Sequence, residues 1–294
     1  MIRGKSEKIF EWVCIVIAAL LVIACLYPLL YTVFVSLCGE KEWTERQGLL
    51  LFFPTHPTFA AYQKIFGVGS YVLKSLLMSL ARTLAGTLIS LALTAILGYA
   101  LTIDFPGRKQ YIYFLLFTIF FSGGLIPNYL VTKQLGLINN FWSLILPNLV
   151  HAWTALIFKQ FFSGIPKEMQ EAARIDGAGE FRLFWNIMLP LSKPVIASIG
   201  LFTMVFHWNS WFDVMIYIDQ SHSALWTLQY YIMINYNNLS QINSTQVPNL
   251  ATDGVSQDAV RMALTIVGFV PILCIYPFFQ KFLKDGVYTG AVKG

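Results

Sequence analysis

Six residues carry hydrogen-bonding or stacking groups inside otherwise apolar stretches: Asn148, His151, Trp208, Asn209, Trp211 and Asp213. Asn148 and His151 are three apart, as are His151 and Thr154, so a helix through them has one polar face. The segment "WNSWFD" sets amides and a carboxylate between two indole rings. Aromatic rings stack on the C–H faces of sugars, and amides satisfy their hydroxyls. The chemistry available to this set is therefore binding. The same residue types also have structural uses, since Trp and Tyr belong at membrane interfaces and Ser and Thr join helices.

Groups for bond-making chemistry lack a usable arrangement. His56, His151, His207 and His222 show no metal-ligand spacing. No order of Ser, His and Asp, or of Cys and His, points to a nucleophile. "GKS" at residues 4–6 lacks the upstream glycine and strand of a phosphate-binding loop. Cys14, Cys25 and Cys274 fall in apolar runs and Cys38 stands alone, which suggests neither a disulfide nor a metal pair. The expectation is a chain that is not itself an enzyme and has no metal or cofactor of its own.

The elements that must position the binding groups are membrane spans. The chain is 56% hydrophobic and only 12% charged, about half the charge share of a soluble domain. Six apolar runs are long enough to cross a bilayer as helices: 13–37, 71–103, 111–131, 141–162, 195–218 and 259–282. The run at 71–103 carries a polar stripe of Ser75, Ser79, Arg82, Thr83, Thr87, Ser90 and Thr94. "VIAC" at 22–25 resembles a lipoprotein cleavage site, but the apolar run continues beyond Cys25, so the first span is expected to remain as an anchor.

Lys and Arg concentrate in alternate loops, around 3–8, 108–109, 167–193 and 284–293, while residues 219–258 hold none. This bias predicts both termini inside. The net charge of +5 thereby serves topology and gives no reason to expect nucleic acid. The chain divides into an anchor helix with an outer loop (1–70), a membrane core (71–283) and an inner tail (284–294). Within the core, an inner loop at 163–193 and an outer loop at 219–258 exceed what a connection needs.

The inner loop contains "EAARIDGAGEFRLFWNIMLPLSKP". Pro166 suits a helix start, "KEMQEAAR" is rich in helix formers, and Glu171 can pair with Arg174 on one face. Gly177 can end the helix in a left-handed conformation. "EFRLFWNIM" offers a second short helix, and Pro190 and Pro194 lead into the fifth span. A charged, alanine-rich helix hung between two spans gives a soluble partner something to grip. The alternative is an ordinary interfacial amphipathic loop.

With this loop, "WNSWFD" and the C-terminal "YPFFQKFLKDGVYTGAVKG", the chain resembles carbohydrate-type ABC importer permeases, the smaller six-span kind of maltose-like systems. The resemblance implies an all-α membrane protein of the type I importer architecture, in a bacterial cytoplasmic (inner) membrane. It implies a cytoplasmic coupling helix whose Glu171, Ala172, Ala173, Arg174, Asp176 and Gly177 meet a separate ATPase. A tail with Gly290, Val292, Lys293 and Gly294 would reach between two ATPase subunits, which bind the ATP and Mg. Further implied partners are a second permease subunit, an extracytoplasmic sugar-binding protein, an oligosaccharide and membrane lipid. In the outer loop, Trp226 and Tyr230 lie four apart and are expected to face the binding protein. Within the family the likeness leans toward permeases for alginate or pectin fragments. A non-sugar ABC importer and a secondary transporter are the rival readings. The latter needs ion-coupling carboxylates within spans, where only Asp213 and Asp219 come near.

Overall fold

A computed structural model describes residues 5–50, 52–67, 70–240 and 255–291. Among them the regular elements are all helices. In chain order these are α1 (Lys5–Ser36), α2 (Glu40–Glu45), α3 (Ala60–Ile65), α4 (Tyr71–Ala100), α5 (Arg108–Phe120), α6 (Leu125–Gln134) and α7 (Ala152–Ser163). Then follow α8 (Lys167–Ile175), α9 (Glu180–Leu183), α10 (Leu189–Leu191), α11 (Lys193–Asn209), α12 (Phe212–Tyr217), α13 (Leu228–Ser240) and α14 (Gln257–Ala291).

Ile9–Ser36, Tyr71–Ala100 and Gln257–Phe278 are each long and apolar enough to cross a membrane. Three bent pairs supply the other spans: α5 with α6 at 116°, Phe141–Asn148 with α7 at 53°, and Glu180–Leu191 with α11 at 81°. If each pair is one span, the count reaches six, although the first half of the third pair, Glu180–Leu191, falls within the loop at 163–193. The bends are a correction, because 111–131 and 141–162 each read as a single helix. Gly124 makes the sharpest one, with φ 87° and ψ 180°, a conformation reserved for glycine. The expected span 195–218 is likewise interrupted, at Ser210 and Trp211, where the backbone leaves helical geometry before α12.

Among the described residues the chain forms two compact units, Met1–Val72 with Ile232–Val270, and Leu73–Tyr231 with Pro271–Gly294. Residues 232–270 thus group with the N-terminal anchor, where the sequence reads one continuous core over 71–283. In the first unit Met262 packs on a cluster of Val35, Cys38 and Leu50, which explains that grouping. The Glu42 carboxylate there accepts bonds from the Thr55 amide (2.8 Å), the Thr55 hydroxyl (3.1 Å) and the His56 amide (3.2 Å), and pairs with Arg46 at 2.9 Å.

In the second unit α4 is inverted relative to a soluble helix. Its Ser75, Ser79, Arg82, Thr83, Thr87, Ser90 and Thr94 are buried, while Leu73, Leu77, Leu84 and Leu88 face outward. Lipid accepts leucines as well as a protein interior does, so the bundle side is free for small polar groups. At Gly98 the backbones of α4 and α7 meet: an added Cβ would lie 2.5 Å from the Cβ of Phe158. Below this contact an aromatic core joins Tyr99, Phe158, Phe162 and Phe184 with Ala173, Leu183 and Met188.

The bonds to Glu42 hold its carboxyl below the usual carboxylate range, the Thr55 amide contributing most. A lowered folded pKa gives stability that is present at neutral pH and fades as pH falls through that lowered value. Hydrogen exchange should therefore find the Thr55 and His56 amides protected through the ordinary carboxylate range, near pH ~4, and released only below it. Glu42→Gln should remove most of this pH dependence.

Candidate functional site

The first site is organised by one buried cation. Arg82, in the middle of α4, is 0% exposed. It donates through Nη1 to the Ser210 carbonyl (3.1 Å) and to Asp213 Oδ1 (3.1 Å), and through Nη2 to Asp213 Oδ2. The break between α11 and α12 leaves carbonyls without helical donors, and Arg82 supplies one of them. Asp213 Oδ1 also accepts the Val214 amide at 2.9 Å. One turn up α4, the Ser79 hydroxyl accepts the Leu228 amide at the start of α13 (2.8 Å). Two α4 side chains three residues apart therefore fix the interrupted span and the outer helix.

The result is a cavity of about 490 Å³ walled by α6, the Leu146–Asn148 turn and α12. Its polar lining is Asn128, Thr132, Asn148, Asp213 and Tyr217. Tyr217 stacks on Tyr129 with ring planes 6° apart. Its rim is clasped by Asn139, which donates to Asp219 Oδ2 (2.6 Å) and accepts the Asp219 amide (2.8 Å). Ser221, then His222 and Asn139, bond the Asp219 carboxylate and hold its pKa well below the normal range.

Of the six sequence candidates, only Asn148 and Asp213 line this cavity. Asp213 is committed to Arg82, a partner 131 residues away that spacing does not reveal. His151 precedes α7 and meets Phe206 edge-on. Trp208 is buried in an apolar groove with Leu84, Met204 and Pro271. Asn209 and Trp211 are exposed at the helix break. Thr132 and Tyr217 are lining residues that the sequence reading misses, being ordinary members of apolar runs. Trp226 and Tyr230 do meet, with rings 5.3 Å apart, but they are only 5% and 8% exposed. That corrects the expectation of an outward-facing pair. α13 starts at Leu228, anchored by Ser79, and turns both rings inward.

The second site is α8 and its turn. Gly177 has φ +78°, and the Ala178 amide reaches the Ala173 carbonyl (2.9 Å) while the Gly177 amide reaches Arg174 (3.0 Å). This is the six-to-one and five-to-two pair of a left-handed helix cap. Ala173 is the helix's buried foot; Glu171, Ala172, Arg174 and Asp176 are exposed. Arg174 does not take Glu171 as expected. It donates to Glu180 Oε1 through Nε (3.2 Å) and Nη2 (2.9 Å), because the cap turns the chain so that Glu180 faces it. Ile175 and Phe181 stand 87% and 78% exposed beside this turn. In the tail, the helical backbone of α14 runs through Gly290 to Ala291; Val292, Lys293 and Gly294 lie outside the described residues.

A bundle with broken spans, a walled cavity and an exposed capped helix is the form of a solute permease. Residues 105–287 match the family of binding-protein-dependent transport system inner membrane components, and the chain belongs to that family. It is 35% identical to protein LplC of Bacillus subtilis over 100% of this chain and 98% of that one. It is 32% identical to the polygalacturonan/rhamnogalacturonan transport system permease YtcP of the same organism, over 98% and 100%. Its fold is similar to a bacterial ABC transporter involved in import of the acidic polysaccharide alginate, with TM-score 0.86, 26% identity, and 96% and 99% of the two chains covered.

Gly86 of α4 lies flat against the His207 ring of α11, and an added Cβ would sit 2.6 Å from it. Gly86→Val should force these helices apart at a cost of about 1–3 kcal/mol, seen as a lower thermal midpoint of the detergent-solubilised protein. Gly179→Ala, with nothing within 4 Å of the new Cβ, should leave the midpoint unchanged.

Proposed function

We propose that this chain is the permease subunit of an ATP-driven importer of oligosaccharides, coupled to a separate ATPase through α8. The observation that carries this reading is the capped helix itself. Its buried Ala173 roots it in the aromatic core, while Glu171, Ile175 and Phe181 are presented outward. Exposed apolar side chains of that size next to a fixed charge suit a protein cleft. ATP and Mg are held by the ATPase, a second permease subunit completes the path, and an extracytoplasmic binding protein delivers the solute.

The relatives named for polygalacturonan and alginate support fragments of acidic polysaccharides as cargo, and the amide-lined cavity supports a hydroxyl-rich one. Loop charges support an inner location for both termini and for α8. ATPase closure would move α8, tilt the spans rooted in the same core, and expose the cavity alternately to the two sides. Asp213 is occupied by Arg82, which leaves it poorly suited to the ion coupling a secondary transporter needs.

The test uses the assembled complex in liposomes. Glu171→Ala removes the docking charge, and Gly177→Val imposes a left-handed conformation that costs a branched residue about 1–2 kcal/mol. Both should abolish binding-protein-stimulated ATP hydrolysis and uptake of labelled oligogalacturonide while the subunits still co-purify. Full uptake by both variants would remove the docking role.

A further inference from the structure

The coupling turn contains a carboxylate with two different partners. Glu180, the first residue of α9, follows directly on the capped turn after α8. Its Oε1 accepts both bonds from Arg174 of α8. Its Oε2 accepts the Tyr99 hydroxyl at 2.6 Å. Tyr99 is at the inner end of α4, the same helix that carries Ser79 and Arg82. Its ring is buried and fixed by Phe162 and Phe184, at 6.1 and 5.2 Å between centroids. The hydroxyl therefore has one position, and Glu180 reads it.

We infer that Glu180 is a positioning residue that transmits displacement of α8 to the transmembrane helix α4. The inference rests on the proposed docking of α8 to an ATPase. Three features support it. An ion pair as exposed as Arg174–Glu180, with the side chains 47% and 48% accessible, adds little stability, so stability alone does not account for it. The carboxylate has two oxygens, and each is used by a different element. Arg174 has a second carboxylate, Glu171, three residues away on its own helix, yet it reaches across the turn to Glu180. A shove on α8 is thereby carried to α4 along a charge-assisted bond with fixed geometry, in parallel with the softer apolar contacts of Ala173.

The experiment measures solute imported per ATP hydrolysed, in liposomes holding the full complex with its binding protein. Ile175→Cys, in an otherwise wild-type chain and in each variant, reports docking through cross-linking to the ATPase. Glu180→Ala and Tyr99→Phe should both keep the cross-link and keep hydrolysing ATP. Import per ATP should fall by about five-fold or more, the lower end of what a lost coupling interaction gives. Tyr99→Phe keeps the ring packing and removes only the hydroxyl, so loss of coupling there is not a folding defect. Glu180→Gln, which keeps an acceptor for Tyr99, should lie between Glu180→Ala and wild type. A wild-type ratio in Glu180→Ala and Tyr99→Phe, with the cross-link present, overturns this inference alone. Absence of the cross-link in the otherwise wild-type chain overturns the docking reading and this inference with it.

Discussion

A guanidinium fully removed from solvent in the middle of a membrane helix has to be neutralised where it stands. Arg82 is that group, and Asp213 neutralises it. This requirement dictates much of the structure around the break between α11 and α12. The carboxylate must come from a segment that can reach α4, so the fifth span is interrupted at Ser210 and Trp211, which lets α12 swing Asp213 inward. The interruption frees a carbonyl, and Arg82 bonds that as well. The cavity wall formed by Phe212, Asp213 and Tyr217 then follows from the ion pair.

The same helix governs the surroundings of its C-terminal end by other means. Gly98 brings α4 and α7 into backbone contact, and Tyr99 enters the aromatic core that also holds the foot of α8. One helix therefore has a salt bridge near its middle and a close-packed aromatic anchor at its C-terminal end. Its outward-facing side carries Leu73, Leu77, Leu84 and Leu88.

Much of this was legible in the sequence because it is local. Span count follows from apolar length, and the α8 cap follows from a glycine placed just after a run of helix formers. The polar stripe of α4 is visible as a period. What sequence did not disclose is either long-range or geometric. Arg82 and Asp213 are both recognisable as costly residues, but nothing in spacing pairs them. The 116° bend at Gly124 hides within a run whose mean hydropathy alone suggests a straight span. Arg174 has a carboxylate three residues away and another six residues away, and only the turn geometry selects Glu180. Trp226 and Tyr230 have the spacing of a shared helix face, yet α13 begins after Trp226 and both rings turn inward.

The most direct measurement is a double-mutant cycle on Arg82 and Asp213, read as binding-protein-stimulated transport and as thermal stability of the complex. Arg82→Met and Asp213→Leu each leave a buried charge alone, and each should cost about 3–5 kcal/mol in stability with loss of transport. The double variant removes both charges and should cost less than the sum of the two single losses, by a coupling of about 0.5–3 kcal/mol. Additive losses, or single variants that transport normally, would contradict the view that this ion pair holds the cavity wall.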